Sequence, residues 1–311
     1  MKFININIFV LLLLTSLFFT SLSAIDNTTN YLNIAKNFFD NGDYKKAIEF
    51  SNKAMLNDSS LIFNALNLRG ISYYHLKDFK SSLADFMNTI QLIDIEINKI
   101  SSFDKRKSEL NQLVQLKTNT YFNRALVYQE LNKLENALSD YTYVIANDIN
   151  NKFALFNKGF LLYQLGYKDS AIVYFTEVLK LDSKDNDARY NRANIYYEMQ
   201  NCDSAMIDYN ELLKYKNNDE FIFLNIANCY YNQKNYNAAI INYTKSIKIN
   251  NSITAAYYNR AQTYKAIAQY EEALKDLYSA MKIIDKDSTF IDKKDNIIQE
   301  IDILKKQKKT K

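Results

Sequence analysis

Few side chains in this sequence could carry out a reaction, and their spacing argues against one. There is a single histidine, His75, so no pair of imidazoles can share a metal ion. Phosphate-cradling Gly-rich loops, Cys-x-x-Cys pairs and nucleophile-elbow motifs do not occur. An imidazole can titrate near neutrality, but no group is spaced to partner His75, which reads as a surface or groove residue. The carboxylates are scattered over polar faces, where water is their ordinary partner. That leaves Cys202 and Cys229. In an exported chain such a pair invites a disulfide. The same residues also serve as small buried fillers, and a bridge needs Cα atoms within about 7 Å. These features predict a protein that is not an enzyme and uses no cofactor or metal.

What does recur is a set of small, aromatic and amide residues on an interval of 34 positions. Ala125, Gly159, Ala193, Ala227 and Ala261 are the first members. Twelve places on stand Ala137, Ala171, Ala205, Ala239 and Ala273, and four further Tyr141, Phe175, Tyr209, Tyr243 and Leu277. Around Ala193, the sets Ala193/Tyr196/Met199 and Ala205/Tyr209/Leu212 both keep helical spacing. The polar break Gln200-Asn201 parts them, so each copy is a short helix hairpin. Where two helices cross closely only Gly or Ala fits, and a larger side chain overpacks by roughly 1–3 kcal/mol. One hairpin cannot bury both of its apolar stripes, whereas stacked neighbours can.

This pattern resembles the tetratricopeptide repeat. Tyr257, Ala261, Tyr264, Ala273 and Leu277 match its motif in order, while Arg260 replaces its leucine and Asp285 its proline. The resemblance implies an all-α, right-handed superhelical solenoid of about seven helix hairpins with a C-terminal cap helix. Total absence of Pro and only four Gly suit an all-helical chain. At the family's proline position stand Ser183, Asn217, Asn251 and Asp285, residues able to cap the following helix.

In chain order, residues 1–24 differ in kind. Lys2 precedes an apolar run from Ile8 to Phe19, and Ser21, Ser23 and Ala24 follow. This predicts a signal peptide cleaved after Ser23 or Ala24, with an uncleaved membrane anchor as the alternative. Either way the repeats lie outside the cytoplasm, periplasmic or extracellular, because no Lys or Arg returns until Lys36. The array itself is expected over 25–285. Its period breaks between Gly70 and Ala125, which are one repeat plus 21 residues apart. Apolar spacing through Ile93, Ile97, Ile100, Leu110, Leu113 and Val114 predicts a projecting helical hairpin of about 15 Å near 95–116, with Ser101 to Asp104 as its turn. Residues 286–311 are expected to form a cap helix and a basic tail.

The expected activity is binding. With the small residue of each first helix at zero and about 100° per residue, positions four before, one before and three after share a core side. Six, three and two before, and one, four and five after, share a second face, which in the resembling family lines the groove holding extended peptides. Two before the small residue stand Asn123, Asn157, Asn191, Asn225 and Asn259, whose amides can both donate and accept. They could hold a peptide backbone or bond the adjacent helix. Phe156, Phe160, Tyr163, Tyr190, Tyr197 and Tyr231 add an aromatic patch suited to an interface. Asn194 and Asn228 fall where the family's carboxylate clamp has its asparagine, but Tyr190 and Leu224 take the clamp lysine's place. With 39 basic and 35 acidic residues intermixed, no nucleic-acid surface is implied. The expected partner is therefore a protein or peptide, not nucleic acid or a small-molecule substrate, with membrane contact only if residues 1–24 persist. A structural subunit of an envelope assembly, working through its convex face or ends, is the second reading. A regulatory domain for an enzyme on another chain is the third.

Overall fold

The small residues set the architecture. A computed structural model describes residues 31–100, 106–215, 218–287 and 289–309, excepting the side chains of 307–309. Among these residues there are only helices: α1 (Tyr31–Asp40), α2 (Tyr44–Asn57), α3 (Ile62–His75), α4 (Phe79–Ile100), α5 (Lys107–Glu130), α6 (Leu134–Asn147), α7 (Lys152–Gln164), α8 (Lys168–Leu181), α9 (Asn186–Glu198), α10 (Cys202–Leu213), α11 (Glu220–Asn232), α12 (Tyr236–Ile249), α13 (Thr254–Ala266), α14 (Tyr270–Ile283) and α15 (Lys294–Lys309). The first fourteen pair as consecutive hairpins, the all-α repeat fold that the period predicts. They form two compact units, one ending at Ser183 and one beginning at Lys184. The expected signal segment, residues 1–24, lies outside the described residues. None of the described helices is long and apolar enough to cross a membrane.

Every small residue of the period is sealed. Ala125, Ala193, Ala227 and Ala261, with their partners Ala137, Ala205, Ala239 and Ala273, are all 0% exposed. A Cβ on Gly159 would stand 3.1 Å from Tyr174 Cβ, and one on Gly70 would stand 2.8 Å from Phe86 Cε1. The aromatic that follows fills the wider gap beside each crossing: Tyr141, Phe175 and Tyr209 are 0% exposed and Tyr243 1%.

Each hairpin turns through one residue in the left-handed region, seven places after the small residue. Gly42 and Gly166 serve twice, but Lys77, Asn132, Gln200, Lys234 and Ala268 take the same conformation at φ 54° to 62°. The next amide donates back into the first helix, as Asn201 N does to Tyr196 O at 2.9 Å, so the helix end is satisfied in a Schellman arrangement. Caps differ from expectation. Asp185 caps α9 and Asp219 caps α11 through their side chains, α13 starts from Ile253 with no side-chain cap, and Asn217 lies outside the described residues. The capping carboxylates lie two residues past the family's proline position, and before α9 Ser183 and Lys184 form a turn.

Between Gly70 and Ala125 the two extra lengths are helical: α4 has 22 residues and α5 has 24. Ile93, Ile100, Leu113 and Leu116 pack between them with Phe63, Ile97 and Leu110. The Ser101 to Asp104 turn lies outside the described residues. At the other end α15 buries Ile297, Ile301 and Leu304 against Ala261, Ala273 and Leu277.

His75 is expected on the surface or in the groove, but its ring is packed among aromatic side chains. Its ring stacks on Tyr44 at 4.5 Å and meets Phe39 and Tyr74 edge-on, and Nε2 is buried without a partner among the described residues. Burial therefore lowers its pKa. The unfolded chain takes up this proton first as pH falls, so the stability that neutral His75 contributes is complete above about pH 6.5 and is lost below it. The gap in thermal midpoint between parent and His75→Phe should accordingly change in the variant's favour between about pH 7 and 5. Gly70→Val, which must displace the Phe86 ring, should lower unfolding stability by about 1–3 kcal/mol in denaturant titration.

Candidate functional site

The aromatic and amide residues singled out by spacing are brought together, but mostly inside the protein. Asn123 and Asn157 are each 2% exposed, Asn191 and Asn194 0%, Asn225 6%, Phe156 1%, Phe160 6% and Tyr190 5%. Phe156 meets Phe175 edge-on at 5.3 Å and Tyr190 meets Tyr209 at 6.5 Å. Asn259, Tyr163, Tyr197 and Tyr231 stay half-buried.

The amides bond to one another and to the tyrosine of the second helix. Asn194 Oδ1 accepts from the Tyr209 hydroxyl at 2.6 Å and from Asn225 Nδ2, one repeat on, at 3.3 Å. Asn225 Nδ2 also reaches the Tyr209 hydroxyl at 3.1 Å. The next repeat copies this: Asn228 Oδ1 accepts from Tyr243 at 2.6 Å and from Asn259 Nδ2 at 2.9 Å. In the other unit the Tyr141 hydroxyl donates to Gln129 and is met by Asn157. Burial pushes the Tyr141, Tyr209 and Tyr243 phenols well up, so they remain donors. Of the two roles open to the asparagines, bonding the adjacent helix is the one these distances describe. Asn123 and Asn157 each retain a buried amide oxygen with no partner among the described residues.

The face assigned to the core is the half-buried one. One position before the small residue stand Arg69, Arg124, Arg192 and Arg260. Each grips an aspartate sixteen residues on (Asp85, Asp140, Asp208 and Asp276) through paired hydrogen bonds of 2.6–2.8 Å. The guanidinium of Arg124 also lies over Tyr121 at 4.7 Å, and that of Arg260 over Tyr257 and Tyr264 at 5.9 Å. Burial pushes the Asp140 carboxyl up while Arg124 pulls it back. Angle counting fails here because a long Arg keeps its stem against the helix pair and its head at the rim, which moves the apolar centre of the first helix toward the supposed groove side. The sequence carried a signal for these pairs. Arg and Asp appear together in four repeats and vanish together at Ile34/Phe50, Lys158/Tyr174 and Ile226/Asn242.

The C-terminal helix shows what the amide face meets. Glu300 of α15 accepts from Tyr258 at 3.2 Å, Gln262 at 2.7 Å and Lys265 at 2.8 Å, which are positions three before, one after and four after Ala261. Burial alone would raise the Glu300 carboxyl. The hydrogen bonds and charge from Lys265, with Gln262 and Tyr258, more than offset that and hold it below its ordinary value. Thus α15 stands where a further first helix would stack. Along the same line in the unit from Lys184, Tyr197 and Tyr231 keep partial exposure. The Tyr197 hydroxyl is bonded by Asn228, Tyr231 tilts against Tyr236 at 5.8 Å, and Phe221 is 37% exposed nearby in sequence on α11.

Cys202 and Cys229 are both buried, unbridged thiols, and the Cys229 thiol donates to Cys202. Among the described residues no group of three or more His, Cys, Asp and Glu is placed to hold a metal ion.

A family model described as "Tetratricopeptide repeat" matches residues 28–60, 118–146, 154–185, 222–253 and 254–287, and a second so described matches 187–215. No curated protein matches the sequence. Several solved structures share the fold. A tetratricopeptide repeat protein from Parabacteroides merdae is 20% identical over 88% of this chain and 97% of its own, with a TM-score of 0.51. The C-terminal part of a TPR repeat-containing protein from Cytophaga hutchinsonii is 17% identical over 84% and 98%, with a TM-score of 0.65. MamA from Desulfovibrio magneticus is 15% identical over 55% and 97%, with a TM-score of 0.53.

If the asparagines hold neighbouring repeats together, Asn194→Ala should leave the buried Tyr209 hydroxyl without its acceptor. It should then cost about 1–3 kcal/mol, read as a lower denaturant midpoint. Tyr209→Phe and Asn225→Ala combined with Asn194→Ala should recover part of that loss, because the hydroxyl donor and the Asn225 amide that shared these acceptors are then removed together.

Proposed function

This chain belongs to the tetratricopeptide repeat family, and from that premise we propose that it is a non-enzymatic scaffold that grips an extended peptide segment or a partner protein. The observation carrying this reading is the pair Tyr197 and Tyr231. They occupy one position in successive repeats and remain half-buried, while the buried Asn194 and Asn225 bond to each other and to Tyr209. Partly exposed phenols offer an apolar body and a polar tip, the combination that anchors interfaces. Phe221 extends the strip, and Tyr163 holds the same position in the other unit. The pattern of residues 1–24 supports export, with the repeats working in the periplasm or outside the cell.

A second reading, assembly through the outer surface, draws on Ile207 and Ile241. They stand on α10 and α12 at the same position of neighbouring repeats and are 70% and 56% exposed. An exposed aliphatic pair at a fixed repeat interval is the sort of surface that a subunit contact covers.

One crosslinking pull-down from the native compartment separates the two. Tyr197→Ala with Tyr231→Ala should cut partner capture by tenfold or more, as loss of interface anchors worth about 2 kcal/mol does, while Ile207→Lys with Ile241→Lys leaves it unchanged. The reverse result would favour the outer surface, and full capture by both variants would sink both readings.

A further inference from the structure

The chain's two cysteines lie on opposite sides of one junction between repeats. Cys202 is nine places after the small residue of its hairpin and Cys229 two places after that of the next. Elsewhere these positions hold Tyr44 and Ser72, Phe79 and Val127, Leu134 and Leu161, Lys168 and Ile195, or Tyr236 and Thr263. Only here does sulfur replace both members of the pair, and here the two thiols are in hydrogen-bond contact. Their surroundings differ. Cys229 is 0% exposed within α11, beside the Tyr197, Tyr209 and Tyr243 phenols. Cys202 is the first residue of α10 and 6% exposed. It opens on a cavity of about 520 Å³ lined by Gln200, Asn201, Asp203, Asn232 and Gln233. Across that cavity Gln233 Nε2 donates to Asp203 Oδ1 at 2.8 Å, tying the same two hairpins that the thiols join.

We propose that Cys202 and Cys229 are a reversible disulfide site, loaded through the cavity by a small disulfide or a disulfide-carrying oxidoreductase, that staples the hairpin α9–α10 to the hairpin α11–α12. Cys202 attacks first, since of the two sulfurs it alone lines the cavity. Its thiolate displaces one thiol from the incoming disulfide and forms a mixed disulfide. The Cys229 thiolate then attacks Cys202 Sγ and expels the second thiol. The protein dithiol has lost two electrons and two protons, and the incoming disulfide has become two thiols. Burial pushes the Cys229 thiol up, so ring closure is the slow step and quickens as pH rises. The staple would fix the two hairpins that carry Tyr197 and Tyr231.

The test uses the full chain, purified reduced and equilibrated with oxidised glutathione without denaturant. The expected product is a monomer lighter by two hydrogens, with a peptide map joining Cys202 to Cys229 and a thermal midpoint raised by roughly 5–10 °C. Cys229→Ser should trap glutathione on Cys202, whereas Cys202→Ser should stay unmodified over the same time. Two free thiols remaining in the parent after exposure, a link formed only between chains, or an adduct on Cys229 in preference to Cys202 would each overturn the proposal.

Discussion

The close crossing of two helices at a residue without bulk is the constraint from which everything else follows. At each hairpin a Gly or Ala of the first helix meets an Ala or Ser of the second with no exposed surface at all, as Ala193 and Ala205 do. Once the backbones are that near, the next available volume is fixed, and in every hairpin but the first, which has Ser51 there, one aromatic or Leu, such as Tyr209 or Leu277, fills it. Packing of this kind is intolerant of added volume. It explains why the 34-residue interval is held so exactly through five copies and why the interval can lengthen only where helices grow outward, as α4 and α5 do.

Filling that volume with tyrosine creates a second requirement. A phenol sealed from water needs an acceptor, and the chain supplies one from the same repeat and a donor from the next. The Tyr209–Asn194–Asn225 and Tyr243–Asn228–Asn259 sets are thus a polar seam that fixes the register between hairpins, where apolar packing alone would let them slide. Where the array ends, Glu300 of α15 accepts from Tyr258, Gln262 and Lys265 of α13.

How much of this was readable follows from what each signal measures. Period and residue size report the hairpins directly, since steric fit depends on one position at a time. The lengthened α4 and α5 were readable because Ile93, Ile97, Ile100, Leu110 and Leu113 continue the helical spacing. The turns were harder: only Gly42 and Gly166 advertise the left-handed residue, and Lys77, Lys234 or Ala268 give no hint of it. Least readable was which face is inside. Asn225 and Phe156 look like surface and interface residues by type, yet one bonds to Asn194 and Tyr209 and the other packs on Phe175. Arg192 occupies a formally central position because Asp208 receives it. Burial of polar groups depends on pairs, and single-position angles do not contain pairs. The co-occurrence of Arg with Asp sixteen places on, and of Tyr with Asn sixteen places on, does.

The clamps formed by Arg69, Arg124, Arg192 and Arg260 are unevenly distributed, and that gives the array a mechanical grain. Four hairpins have a two-pronged ionic latch between their helices, while α1–α2, α7–α8 and α11–α12 have no Arg–Asp pair at these positions. A latch resists shear in a way that greasy contact does not, because its two bonds must break together at a fixed geometry. Pulled end to end in a single-molecule trap, the chain should yield in steps, the three unlatched hairpins opening at the lowest forces and the latched ones holding as rigid blocks between them.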